Sequence, residues 1–213
     1  MMKLSYFNLE GLAEPIRLMF KIANVEFEDH RFSFEEWPAL KATFPNGSVP
    51  VLTNPKDDMV MTQSNGILKY FGAQHGMYPS DPKAAYLVDE IMEMVGDFSK
   101  SASYSIYVGM RPEALGHFDL EAEAKAAIIK RMREELMKVM PGQLANLDKK
   151  VGQTGFLTTG KVTVADLVTY CRLRGLRRGV MDGIPKDVVD SHVNLMALYE
   201  KVEALPAVKA HYG

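Results

Sequence analysis

The chain has 213 residues, 47% of them hydrophobic and 24% charged, with a formal net charge of −2. That length and composition suit two small domains or one large one, with a core that needs no disulfide or metal. The charge gives no general attraction to nucleic acid or to an anionic membrane. The single cysteine, Cys171, excludes an intrachain disulfide framework and fits a reducing, cytoplasmic setting. No apolar run approaches the ~18 residues that cross a bilayer. The opening residues Met1 to Asn8 lack the apolar stretch of a secretory signal.

Lys3 to Phe7 alternates as a strand does, and Gly11 marks a turn after it. Pro15 suits the first turn of a helix, where its missing N–H is not needed. Ile16, Met19, Phe20 and Ala23 then recur on one helical face. Val25 to Phe32 reads as a second strand, so the first unit is strand–helix–strand with parallel pairing. Val49 to Thr53 is a third strand and Met59 to Met61 a fourth, separated by the turn residues Asn54 to Asp58. Ser64 caps a helix running to about Gln74. The segment from His75 to Pro82 carries two prolines and a glycine and reads as a linker. The division that follows is 1–76 and 83–213, joined by 77–82.

Everything past the linker reads as helix. Leu87, Ile91, Met94, Val95 and Phe98 form one apolar face; Ile128, Met132, Leu136, Val139 and Met140 form a second, ending near Pro141-Gly142. A third long helix begins at Thr163-Val164-Ala165-Asp166, a capping box with Asp in place of Glu. In it Cys171 shares an apolar stripe with Leu167 and Val168, as a buried and inert thiol would. The cluster Arg172, Arg174, Arg177 and Arg178 reads as a solvated helix end complementing the helix dipole. Shorter helices follow around Asp187 to Val193 and Leu195 to Ala204. The expected architecture is therefore α/β followed by all-α.

The chemistry-bearing residues are sparse. There is no Cys-x-x-Cys, His-Glu-x-x-His or Gly-x-Ser-x-Gly, and the five histidines are scattered, which leaves no pattern for a metal site or a hydrolase triad. Pro50 opens a buried strand, where it cannot donate a ladder hydrogen bond. A cis Val49-Pro50 bond there would open the backbone of Val49 to a ligand. Gln63-Ser64 at a helix start can receive an anion on free N–H groups. Trp37 and Lys41, four apart, share one helical face, and Tyr6 lies in the first strand with a hydroxyl that needs a partner.

In combination these segments resemble the tyrosine-type cytosolic glutathione transferases. Leu4-Ser5-Tyr6-Phe7-Asn8 with Gly11-Leu12-Ala13-Glu14-Pro15-Ile16-Arg17 is similar to the family's opening. Glu28-Asp29-His30-Arg31 with Trp37-Pro38 and Lys41 is similar to its sigma class. Pro45 to Leu52 resembles the family's cis-proline strand, Gln63 to Ile67 its Gln-Ser helix start, and Gly155-Phe156-Leu157, Thr163 to Asp166 and Leu205 to Val208 its second domain. The resemblance spans the whole chain. It implies a thioredoxin-like domain followed by a helical one, a homodimer, and transfer of the glutathione thiolate to small hydrophobic electrophiles, with no metal. Tyr6 would then hydrogen-bond the glutathione sulfur. Trp37, Lys41 and Ser48 would hold the glycyl end, and Val49 beside Pro50 the cysteinyl part. Gln63 and Ser64 would hold the γ-glutamyl group, with Asp97 from the partner subunit. Phe7, Leu12, Tyr104, Tyr107, Val108 and Tyr212 are candidates for the second-substrate pocket. Two positions depart from the pattern: the family usually has arginine where Leu12 stands, and the sigma class often has lysine where Ser48 stands. A glutathione-binding carrier with little catalysis and a glutathione-dependent isomerase of prostaglandin-like endoperoxides are the alternatives.

Overall fold

The computed structural model describes residues 1–56, 58–116, 119–158 and 160–213. Its first part is a four-stranded sheet in the order β2-β1-β3-β4, with β1 Met2–Phe7, β2 Phe27–Phe32, β3 Val51–Asn54 and β4 Met59–Met61. β1 runs parallel to β2, while the β1–β3 and β3–β4 pairs are antiparallel. Helix α1 (Glu14–Ile22) makes the crossover, with Pro15 in its first turn, and buries every residue from Glu14 to Phe20. Two strand boundaries differ from those the pattern suggests. Val25 closes α1 instead of opening β2, its N–H bonding to the Phe20 carbonyl at 2.8 Å. The Val49–Pro50 bond is cis, and the β3 ladder starts one residue later, at Val51.

Trp37 opens a single helical turn, α2 (Trp37–Leu40), and Lys41 already belongs to the 3-10 turn that follows. The continuous helical face expected for that pair is therefore cut short. α3 (Ser64–Gln74) packs on α1 and leads toward the helical part. That part holds α4 (Pro82–Met110), α5 (Ala122–Asp148), α6 (Val164–Arg177), α7 (Val193–Glu203) and α8 (Pro206–Tyr212).

Two helix boundaries also correct the reading from sequence. α5 does not stop at Pro141-Gly142 but continues to Asp148. Leu136, Met140, Leu144 and Leu147 are all buried, and this stripe against α4 outweighs the one backbone bond that an internal proline removes. Asp187 to His192 is not a helix but a run of turns, with Asp190 N–H bonding to Asp187 O at 2.9 Å and His192 N–H to Val189 O at 3.0 Å, and Val193 already opens α7. Of residues 187 to 193 only Val189 is buried, so nothing there gives a helix a face to pack.

The two parts share one core. α1 packs against both α6 and α8, and Val164 N–H donates to Met77 O at 2.9 Å. Gly72 of α3 is close enough to α6 that a Cβ there would lie 2.8 Å from Val164 Cγ1. The capping box at the start of α6 forms as expected, with Thr163 N–H and Oγ1 both 2.7 Å from Asp166 Oδ2. The other oxygen, Oδ1, accepts from Leu157 N–H at 2.9 Å, tying in the preceding loop.

Candidate functional site

Sheet register gathers the sequence motifs. Ser5 pairs with Val51 in the antiparallel β1–β3 ladder, and Leu52 pairs with Met61 in β3–β4. Continued one or two residues past each ladder, the same registers bring Pro50 beside Tyr6 on one side and beside Gln63 on the other. The β1–β3 register sets Val49 across from Phe7, and Ser64 follows Gln63 as the first residue of α3. Three segments far apart in sequence thus meet at one end of the sheet. Every one of them contains a residue singled out by its chemistry.

Tyr6 is 8% exposed. Its hydroxyl oxygen accepts the Leu12 N–H at 3.2 Å, so its own proton is left to be donated elsewhere. Gly11 makes this approach possible: it has φ +47°, and a Cβ there would lie 2.6 Å from the Tyr6 hydroxyl. Burial pushes the Tyr6 pKa up, against the opposing pull of the Leu12 N–H and of Arg17 and Arg172. The phenol is therefore held protonated, as a donor must be.

Arg17 is fully buried, its guanidinium 5.9 Å from the Tyr6 ring centre. It is bound by Glu14 at 2.9 Å, Asp29 at 3.0 Å and the Leu9 carbonyl at 2.9 Å, while Nη2 has no hydrogen-bond partner among the described residues. Glu14 in turn meets His211 of α8 at 2.8 Å. Burial alone would raise the Glu14 pKa, but the hydrogen bonds with Arg17 and His211 bring it down. The spacing Glu14 to Arg17 is an i,i+3 pair and was visible in the sequence; the link to His211, 197 residues away, was not.

The other side of the site meets the start of α3. Gln63, not Ser64, holds the cap position there, at φ 68°, unusual for a residue with a side chain, and its side chain makes no cap hydrogen bond. The first N–H groups of α3 have no intrahelical partner and lie at the positive end of the helix dipole. Lys41 is exposed, and its stem lies over Gly47, where a Cβ would come within 3.2 Å of Lys41 Cε. Ser48, next in the chain, is exposed as well. Trp37 is held in an aromatic cluster, 5.2 Å from Phe7 and 5.7 Å from Phe32 between ring centres.

Sequence models of the two domains of glutathione S-transferase match this chain, the N-terminal domain over residues 2–72 and the C-terminal domain over residues 114–212. The chain is 32% identical to hematopoietic prostaglandin D synthase of Gallus gallus, over 98% of this chain and 93% of that one. It is 31% identical to glutathione S-transferase 1 of Ascaris suum, over 97% and 93%. The solved structure of prostaglandin synthase D of Nilaparvata lugens superposes with a TM-score of 0.83 at 30% identity, over 99% and 96%. The chain belongs to the glutathione S-transferase family. The sheet with its crossover helix is accordingly the thioredoxin-like domain of a glutathione transferase, and α4 to α8 form its helical domain.

Other residues named from the sequence are distributed more widely in this transferase. Tyr104 and Tyr107 are exposed on α4, and so is Leu12 on the facing loop, at 51%. Tyr107 acts electrostatically on Tyr6 and lies beneath the Arg111 guanidinium, 4.9 Å from its ring centre. Phe7 is stacked on Phe34 at 4.6 Å. Val108 is 1% exposed and so offers no surface to a second substrate. The Tyr212 ring packs under Arg174 at 3.6 Å and beside Tyr170, held within the α6–α8 contact. Asp97 stands exposed on α4, 3.0 Å from Lys100. Cys171 is partly buried rather than fully so. Burial first, then the Glu14 and Glu10 carboxylates, push its thiol well above the ordinary range. That suits an inert residue.

The arginine cluster is not the solvated helix end that its composition suggests. Arg174 reaches Glu10 at 3.4 Å and Glu203 at 3.5 Å. Arg177 pairs with Asp190 at 2.9 Å, and Arg178 also pairs with Glu10. The Glu10 bonds fasten α6 to the loop that carries Leu12, and those to Glu203 and Asp190 tie it to α7 and the turns before it. Single-sequence periodicity could not reveal them, since the partners are remote in the chain.

Proposed function

We propose that the chain transfers the glutathione thiolate to small hydrophobic electrophiles, with Tyr6 as the catalytic residue. The observation that carries this reading is the convergence of Tyr6, Val49-Pro50 and Gln63-Ser64 at one end of the sheet through the β1–β3–β4 register. Glutathione carries a carboxylate at each end and a thiol between them. In this reading the γ-glutamyl carboxylate lies on the free N–H groups at the start of α3, with Gln63 and Ser64. The backbone of Val49 beside Pro50 pairs with the cysteinyl part. Trp37, Lys41 and Ser48 receive the glycyl end. The thiol is then directed to Tyr6, whose proton is free because its oxygen already accepts from Leu12 N–H. A hydrogen bond to the charged form favours the thiolate, and the thiolate is the nucleophile. It attacks the electrophilic carbon; the carbon–sulfur bond forms as the leaving group departs with its electron pair, and the thiol proton passes to solvent.

Leu12, whose N–H meets the Tyr6 hydroxyl, is exposed, as are Tyr104 and Tyr107 on α4, and such surface would suit a hydrophobic second substrate. In this reading the protein is a cytoplasmic sigma-class homodimer, and the exposed Asp97 reaches the γ-glutamyl amine in the partner's site. The likeness to two prostaglandin D synthases favours a second activity, glutathione-assisted isomerisation of a prostaglandin-like endoperoxide. Conjugation to a generic aryl halide, followed in wild type and Tyr6→Phe, tests the main reading. Loss of a hydrogen bond to a charged acceptor costs ~1.5–3 kcal/mol, so the variant should be slower by roughly ten- to a hundred-fold. Equal rates in the two proteins would remove Tyr6 from the catalytic role, and glutathione binding without any conjugation would leave only a carrier.

A further inference from the structure

We infer that Phe34 is the surface on which the second substrate rests, and that it selects flat, electron-poor aromatic electrophiles such as activated aryl halides. This rests on the reading of Tyr6 above and narrows its second substrate.

Exposure sets the residue apart. Among the described residues the other phenylalanines are buried or half-buried, whereas Phe34 is 48% exposed. A ring left in water forgoes the burial that holds the others in place, yet this one is not loose. It sits in the turn between β2 and α2, Ser33-Phe34-Glu35-Glu36, which is closed from both ends. Ser33 N–H donates to Glu36 Oε2 at 2.7 Å, and Glu36 N–H donates to Ser33 Oγ at 3.3 Å. Such a reciprocal pair fixes the chain on either side of the ring. The ring itself lies on Phe7, with centres 4.6 Å apart and planes 27° from parallel. One face of Phe34 is therefore covered by Phe7, and its exposed surface is on the side away from Phe7.

The stack leads back to the reacting group. Phe7 meets the Tyr6 ring edge-on at 5.7 Å and the Trp37 ring at 5.2 Å. It is braced from behind by Phe32, 5.1 Å away and 3% exposed. Two ring contacts thus join the open face of Phe34 to the catalytic phenol. The same rings touch Trp37, where the reading above places the glycyl end of glutathione.

The electronic character of that face sets the class of guest. A phenylalanine ring is negative on its faces and positive at its edge, so two like rings avoid a direct sandwich. Electron-withdrawing groups reverse that pattern in the guest, and a reversed ring stacks face to face on an ordinary one. The same groups open a ring carbon to the thiolate. The carbon–sulfur bond forms, the halide leaves with the bonding pair, and the thiol proton goes to solvent. Phe34 therefore favours the rings that the thiolate can attack. An aliphatic chain gains only contact area from it.

The test is calorimetric binding of the dinitrophenyl and hexyl conjugates of glutathione, and of glutathione itself, to wild type, Phe34→Leu and Phe34→Tyr. Leucine keeps the apolar surface and removes the ring face; tyrosine keeps both. Phe34→Leu should bind the dinitrophenyl conjugate about two- to twelve-fold more weakly, the range for one aromatic pair. The hexyl conjugate and glutathione should bind it as they bind wild type, and Phe34→Tyr should match wild type throughout. KM for an aryl halide should rise in Phe34→Leu with kcat kept. The thiolate absorbance of the glutathione complex, titrated with pH, should not move, because the ring acts on the electrophile and not on the sulfur. Equal weakening of both conjugates, weakening of glutathione itself, or no weakening at all would overturn the inference and leave the reading of Tyr6 standing. A wild type that binds no glutathione, or whose bound thiol titrates as free glutathione does, would instead remove the reading of Tyr6 and this inference with it.

Discussion

Gly11 tests whether backbone geometry, rather than the presence of Tyr6 alone, makes the site. Replacing it with alanine has two consequences. The residue sits at φ +47°, and an L side chain in that region costs about 1–2 kcal/mol. The new Cβ would also lie 2.6 Å from both Leu9 Cδ1 and the Tyr6 hydroxyl, and 2.7 Å from Tyr6 Cε1. Leu9 is partly exposed and can swing away; the Tyr6 ring is 8% exposed and set in the core, so it must shift against packed neighbours. Overpacking of that kind adds about 1–3 kcal/mol. Together the terms predict a loss of roughly 2–5 kcal/mol, which for a chain of this size lowers the melting temperature by about 4–20 °C. The functional effect should be larger than stability alone suggests, because the hydroxyl is displaced from Leu12 N–H. Conjugation at a temperature where the variant is folded should fall by about the ten- to hundred-fold expected of Tyr6→Phe. Gly11→Ala combined with Tyr6→Phe should then be little worse than either change alone. A single variant with wild-type melting temperature and wild-type rate would refute the close approach of this loop to Tyr6.

Ser64→Ala should weaken glutathione binding by about 1–3 kcal/mol, from one unmet polar partner; calorimetry checks it, and unchanged affinity would move the γ-glutamyl group elsewhere. Glu14→Gln tests the buried chain from Arg17 to His211. The Glu14 pKa is lowered in the folded protein from 4.5, so its contribution is present above that value and is lost as pH falls through the folded pKa. The variant should be about 3–5 kcal/mol less stable at neutral pH, the cost of breaking a buried pair, and the gap should close in acid; denaturant melts at pH 7 and below pH 4.5 measure both. Gly72→Ala should destabilise by about 1–3 kcal/mol through its contact with Val164 without moving the bound-thiol titration, and Val164→Ala should restore part of the loss.

Sequence patterns served well wherever the determinant was local. The apolar faces of α1 and α4, the capping box at Thr163–Asp166 and the N-terminal proline of α1 depend on residues a few positions apart, and all formed. Resemblance added the pairing of Pro50 with Gln63-Ser64, which no local pattern contains. Boundaries failed where burial was decided by remote partners. Pro141 signals a helix end, yet Leu144 and Leu147 bury against α4 and carry α5 onward. Asp187 to His192 has helical composition and no apolar stripe, so turns prevail. At the candidate site Val108 was placed in the pocket by its neighbour Tyr107, but adjacent positions on a helix point about 100° apart. One is exposed and the other buried.

The arginines carry the same lesson into function. Four positive residues within seven positions read as a solvated helix end, because sequence offers no way to see their counter-ions. The fold supplies those counter-ions selectively. Glu10, on the loop beside Tyr6, takes Arg174 and Arg178, and Asp190, on the turns before α7, takes Arg177. Each pairing converts a charge into an attachment between elements. The Glu10 bonds matter most for the site, because they hold α6 to the loop whose Leu12 N–H donates to the Tyr6 hydroxyl. Glu10→Gln should therefore loosen that loop and slow conjugation more than it lowers the melting temperature, and a variant with the wild-type rate would show that the loop holds Tyr6 without α6.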